Sequence, residues 1–185
     1  MTRNKNGPDE LAIRAAIAAQ QAPPLDFAAM AGRLAEEAER RGLLEVAYTR
    51  FDSPVGELLL AATDVGLVRV GWARDDRDLW LAQLAGSIGP RVIEAPKRLD
   101  AVRRQLDEYF AGERRIFDVE LDWRLSSGFT RKVLTETWRI PFGETRTYGE
   151  VATAAGSPRA FRAAGSALGA NPIPIVVPCH RVLRA

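Results

Sequence analysis

The spacing of apolar positions changes along this chain, and the changes divide it. In "LDFAAMAGRLAEEAERRGLL", Phe27, Met30, Leu34 and Ala38 recur at helical spacing, with Asp26 placed to cap the helix and Gly42 to stop it. The preceding "DELAIRAAIAAQQ" is alanine-rich and ends before Pro23-Pro24, so residues 1–44 read as a separate helical extension that packs or interacts. From Glu45 the period drops to two. "EVAYTRFDS", "ELLLAAT" and "LVRVGWA" are joined by tight turns at Pro54-Val55-Gly56 and Asp64-Val65-Gly66, which predicts an antiparallel meander. "DLWLAQLAGSIG" and "APKRLDAVRRQLDEYFAGE" read as helices, the second stopped at Gly112. "RIFDVELDW" alternates as a further strand. Residues 45–122 are therefore expected to form a small α+β unit.

After Leu125 the pattern turns helical. "FTRKVLTETWRI" sets Phe129, Val133 and Trp138 on one side, and Pro141-Phe142-Gly143 is a turn. "TYGEVATAAG" is a short helix whose Thr147 and Glu150 match a capping box, closed by Gly156. "PRAFRAAGSALGAN" follows, with Ser157 as the expected cap and Pro158 in the first helical position. Two short helices joined by a glycine-containing turn fit a helix-turn-helix, and equally an ordinary helical hairpin. The second helix favours DNA. Its small side chains permit close approach to a duplex, and Arg159 and Arg162, three apart, share a face.

Charge sharpens the division. The net charge of the chain is only +2, but residues 124–185 hold nine Lys/Arg against three acids, so that segment is +6 and the remainder −4. A basic part joined to an acidic one suggests a polyanion partner, the alternative being a solvated surface. Apolar residues are 46% of the chain, enough for a core, and no apolar run approaches the about 20 residues that cross a bilayer. The first residues lack the apolar stretch of a secretory signal, and a single cysteine excludes internal disulfides and gives no support for a zinc site. A cytoplasmic protein without membrane contact is the simplest expectation.

That cysteine, Cys179, adjoins the only histidine, His180, in "IVVPCHRVLRA". A thiol is a weak nucleophile until deprotonated, and a histidine within reach is the usual remedy. Neighbours in an extended strand point to opposite faces, so the two side chains cooperate only if the backbone turns or a water bridges them. Pro178 makes such a turn plausible. The alternative is a small buried hydrophobe, the common state of a lone cysteine.

"IPIVVPCHRV", with "IPFGETRTYGEVA" and "GSPRAFRAAGSALGANP" upstream and "FDSPVGELLLAAT" in the early strands, resembles the O6-alkylguanine-DNA alkyltransferases over roughly residues 45–185. The resemblance implies an α+β architecture. A small ribonuclease-H-like domain would occupy 45–122, and a helical, winged helix-turn-helix domain carrying DNA binding and the active site would occupy 123–185. It implies that Cys179 accepts the alkyl group and that His180 is its base through a water. It implies that Arg162 enters the duplex where a base has been extruded and that Tyr148 crowds the target phosphate and lines the base pocket. Asn171 would tie the turn before the active-site strand. Leu168 and Pro178 would wall the pocket, and Ser157, Arg159 and Arg181 would add DNA contacts. The implied reaction is displacement at the alkyl carbon of O6-alkylguanine, and of O4-alkylthymine as a further substrate, in double-stranded DNA after base flipping. It occurs once per molecule and is irreversible, by a monomer that needs no metal or cofactor.

Members of that family continue past this point with a glycine-rich loop over the guanine pocket, a final helix and a glutamate that orients the histidine. The expectation from sequence is a truncated version of a working protein, which binds duplex DNA but transfers alkyl groups slowly or not at all. Two other readings stay open: a non-catalytic protein that binds lesions, and a helix-turn-helix transcription regulator with an incidental cysteine.

Overall fold

The computed structural model describes residues 26–184. The helix expected at "DELAIRAAIAAQQ" and the side chain of Phe27 lie outside the described residues. Helix α1 (Phe27–Arg40) begins at Asp26, whose Oδ1 accepts from the Ala29 N–H at 2.9 Å. It ends as the glycine signal predicts: Gly42 turns at φ 64°, its N–H donates to Glu39 O and the Leu43 N–H donates to Ala38 O. The buried face, however, is only in part the one expected. Ala35 and Ala38 are buried, while Met30 and Leu34 are 45% and 61% exposed. The described part of this segment packs against the rest of the chain. Ala35 joins the apolar core, and Lys97 and Arg98 pair with Glu36 and Glu39 at 2.5 and 2.7 Å. Small residues allow close contact, and the exposed ion pairs flank it.

Strands β1 (Val46–Phe51), β2 (Leu58–Ala62) and β3 (Leu67–Trp72) form the expected meander, with Ala47 opposite Ala62 and Leu58 opposite Trp72. A further strand, β4 (Val92–Glu94), pairs parallel to β1 and gives the order β3-β2-β1-β4. A parallel neighbour needs a crossover, and helix α2 (Arg77–Ser87) supplies it. Every residue of β2 is buried because both faces of this central strand are covered. Leu59 and Ala61 meet Trp80 and Leu84 of α2, while Leu58 and Leu60 belong to the core on the other face. That second core runs through helix α3 (Asp100–Phe110), by Val102 and Leu106, into the helical part of the chain.

The strand expected at "RIFDVELDW" does not form. The segment touches the sheet at one point, where Leu67 bridges Leu121, its N–H donating to Glu120 O and its carbonyl accepting from Asp122 N–H. Gly66 permits this approach, since a Cβ there would lie 2.2 Å from Glu120 O. Asp122 then ends the run. Its buried carboxylate accepts from Thr63 Oγ1 at 2.5 Å and from Arg124 N–H at 3.0 Å, and starts a 3-10 turn at Trp123.

Helix α4 (Gly128–Trp138) buries Val133, Leu134 and Thr137. Trp138 is 40% exposed and packs edge-on to Trp123, so it does not share the buried face with Val133 as expected. Five residues separate the two, which is off the helical repeat. Strand β5 (Arg146–Thr147) leads into α5 (Tyr148–Ala154), where the Thr147/Glu150 capping box is complete and Gly156 turns at φ 82°. Helix α6 (Phe161–Gly169) starts later than expected. Ser157 caps nothing. Its carbonyl accepts from Ala160 N–H, closing a turn around Pro158 and Arg159. Proline suits the second position of such a turn as well as it suits a helix start, and here the turn wins. Arg159 therefore sits in the turn and Arg162 on the helix, not together on one face.

Candidate active site

Between α6 and the cysteine the backbone is folded back on itself. The Asn171 Nδ2 donates to Val177 O at 2.9 Å, its Oδ1 accepts from Ile173 N–H at 3.0 Å, and Val177 N–H donates to Ile173 O. Inside this loop Ile175 has φ 75°, a strained value for a β-branched residue that the surrounding bonds enforce. The Pro172 carbonyl accepts from Val70 N–H of β3 at 2.8 Å, which fastens the loop to the sheet. Pro178 is buried, and a 3-10 turn follows at Cys179–Arg181. The Cys179 N–H donates to Val177 O and the Arg181 N–H to Pro178 O, both at 2.9 Å.

Cys179 is partly exposed, as a reactive thiol must be. The turn that Pro178 announced is present, but no hydrogen bond joins Cys179 to His180 among the described residues. About 120° separates successive side chains in a 3-10 turn, so a bridge between them is indirect. His180 is exposed, yet enough protein surrounds its ring to lower its pKa, by desolvation first and by the charge of Arg181 second. Both effects favour the neutral imidazole, the form that accepts a proton.

Strand β6 (Val182–Leu183) runs parallel to β5, with Val182 beside Arg146 and Leu183 beside Thr147. This pairing carries the end of the cysteine turn to the start of α5 and opens a cleft of about 590 Å³ lined by Thr147, Tyr148, Gly149, Phe161, Arg162, Gly165 and Arg184. Tyr148 is held half-buried against Gly165, where a Cβ would come within 3.7 Å of its ring. The charged side chains lining the cleft are both arginines.

Of the expected site residues, Tyr148 and Arg162 meet in this cleft. Ser157 and Arg159 stand in the turn before α6, Arg159 exposed. Leu168 is 7% exposed and lies in the core rather than on the cleft wall. Pro178 and Arg181 line another groove, with Trp138 and Phe142. There Arg181 Nη1 donates to Ile140 O at 2.9 Å and its guanidinium lies 5.4 Å from the Phe142 ring, so it braces the turn. Sequence reasoning missed Phe161, Arg184 and Thr147 as cleft residues. The available signal was the exposed-type aromatic directly before Arg162.

A family profile described as "6-O-methylguanine DNA methyltransferase, ribonuclease-like domain" matches residues 46–123, and one described as "6-O-methylguanine DNA methyltransferase, DNA binding domain" matches residues 128–185. The chain belongs to the 6-O-methylguanine DNA methyltransferase family. It is 40% identical over 138 residues to a methylated-DNA–protein-cysteine methyltransferase of Methanosarcina acetivorans, covering 75% of this chain and 83% of the relative. It is 39% identical over 136 residues to the constitutive Bacillus subtilis protein of that name, with 74% and 79% covered. The crystal structure of the Mycobacterium tuberculosis O6-methylguanine methyltransferase superposes with a TM-score of 0.67 at 40% identity over 76% of this chain and 79% of that one. The same Mycobacterium tuberculosis protein in complex with DNA gives 0.64 at 40% identity, with 75% and 79% covered. As a member of this methyltransferase family, the chain combines the α+β unit and the helical unit of its relatives, and no helix among the described residues is long and apolar enough to cross a membrane.

Proposed function

We propose that this protein repairs duplex DNA by moving the alkyl group of O6-alkylguanine onto Cys179, once per molecule. The observation that carries the reading is the mounting of Cys179. It stands partly exposed on a rigid turn between the Asn171-tied loop and the β5–β6 pair, which also positions Tyr148 at the arginine-lined cleft. Residues 45–122 serve as the small supporting unit, 123–185 as the binding and transferring unit, and 1–44 as an extension.

The chemistry follows from the groups present. The target base is rotated out of the stack, because its alkyl carbon is out of reach inside the duplex. Neutral His180 takes the thiol proton through a water. The thiolate sulfur then bonds to the alkyl carbon as the carbon–O6 bond breaks, and the electron pair leaves with guanine, which is reprotonated. The thioether has no neighbouring thiol to relieve it, since Cys179 is the only cysteine of the chain. Phosphate contacts from the basic segment supply affinity with little dependence on sequence. The protein acts as a monomer in the cytoplasm.

Intact-mass measurement after incubation with an O6-methylguanine duplex tests this. One added methyl per chain, absent in Cys179→Ala, is the expected result. A methylated Cys179→Ala protein, or a chain that clears many lesions per molecule, would sink the reading.

A further inference from the structure

Phe161 is the first residue of α6 and is 50% exposed. Its position is odd for an apolar ring. It lies three residues before Ala164 and seven before Leu168, the buried stripe of that helix, yet it remains outside the core. The ring instead rims the cleft with Tyr148, and Gly165, one helical turn on, lies against the Tyr148 ring. The Arg162 guanidinium sits 5.7 Å from the centre of the Phe161 ring. The two flat groups thus stand together on one rim of a cleft whose charged lining is wholly positive.

We infer that Phe161 is a second wedge beside Arg162, stacking on the base step that adjoins the extruded nucleotide. The inference rests on the proposed repair function, in which Arg162 enters the duplex where a base has been rotated out. A planar cation can occupy the place a base has left, but it does little to keep the neighbouring base pair from closing over the gap. An apolar ring inserted at that step does, because unstacked bases lose their partner face and the ring replaces it. Phe161 and Arg162 are consecutive at the exposed start of one helix, so a single docking movement delivers both. The same ring also orients Arg162 before DNA arrives, which reduces the freedom lost on insertion. The occupant is a base step of duplex DNA, recognised by its stacking surface and not by its sequence.

The test uses the full chain and its Phe161→Ala, Phe161→Leu and Phe161→Trp variants on a duplex with 2-aminopurine next to O6-methylguanine. Two readouts are taken: the 2-aminopurine fluorescence rise on binding, and the ratio of transfer rates from duplex and from free O6-benzylguanine. Phe161→Ala should lower the rise and reduce the ratio about tenfold, the scale of one lost stacking contact. Phe161→Trp should restore both, and Phe161→Leu only in part. An unchanged rise and ratio in Phe161→Ala overturns the wedge while leaving repair intact. Equal losses on both substrates with a lowered melting temperature make Phe161 a structural residue and also overturn it. A fluorescence rise without any transfer in the unsubstituted protein overturns the repair reading, and the wedge is then supported if Phe161→Ala lowers that rise and overturned if it does not. No rise in the unsubstituted protein overturns the wedge.

Discussion

Asn171 and Val177 are joined by a side-chain amide to carbonyl hydrogen bond of 2.9 Å, and that bond closes the loop from which Cys179 emerges. The same side chain accepts from Ile173 N–H, so one residue satisfies two backbone groups of a segment that contains the strained Ile175. Asn171→Ala removes both bonds. It should cost about 1–3 kcal/mol of stability and slow transfer to Cys179, even from a free base. Asn171→Asp keeps the acceptor and should be milder. Chemical denaturation and single-turnover kinetics check this, and an Asn171→Ala protein equal to wild type in both would remove the loop from the account.

Arg162 is exposed near the start of α6 and lines the cleft with Tyr148. Its truncation to Ala should weaken repair of duplex DNA far more than reaction with free O6-benzylguanine, because only the duplex needs an extruded base held out. The comparison of the two rates is the measurement. Equal losses would mean that Arg162 supports the fold or the pocket.

His180 is biased toward its neutral form by desolvation and by Arg181. The imidazolium is disfavoured in the folded protein, so the base form survives to lower pH than in a free imidazole, whose pKa is about 6.5. The acid limb of the transfer rate on free O6-benzylguanine should therefore fall below that value. The depressed value also means that the small stability contribution of His180 is present above the unfolded pKa and is lost as pH falls through the folded one. Arg181→Gln should move the acid limb up, but only in part, since desolvation by the surrounding protein is the larger cause. A limb at or above the free-imidazole value would contradict the assignment.

Gly66 is pressed against the Glu120 carbonyl, with φ 157° and 2.2 Å between that oxygen and the place of a Cβ. Gly66→Ala meets backbone, which cannot swing aside as a long side chain can. The substitution should cost roughly 1–3 kcal/mol and lower the melting temperature. A variant as stable as wild type would show that the bridge between Leu67 and Leu121 is dispensable.

Much was legible along the chain because it is local. The meander of β1 to β3 follows from alternation and two glycine turns, the ends of α1 and α5 from capping side chains and glycines, and the stop of α3 from Gly112. The Cys179–His180 pair is a matter of adjacency, and its surrounding motif carried the family. The tertiary structure decided what depends on burial at long range. Strand β4 is too short to show a period, and it exists because the edge of β1 accepts it after the α2 crossover. The inward face of α1 was set by the close approach that Ala35 and Ala38 allow to the rest of the chain rather than by its larger apolar residues. The turn around Pro158 displaced the start of α6, since Ala160 N–H bonds to the Ser157 carbonyl before any helical bond can form. The cleft itself joins Thr147, Phe161 and Arg184, residues far apart in sequence, and exists only once β6 lies beside β5. Periodicity and capping are settled within a few residues, so the sequence alone determines them. A site assembled from separate segments waits on which surfaces the whole chain manages to bury.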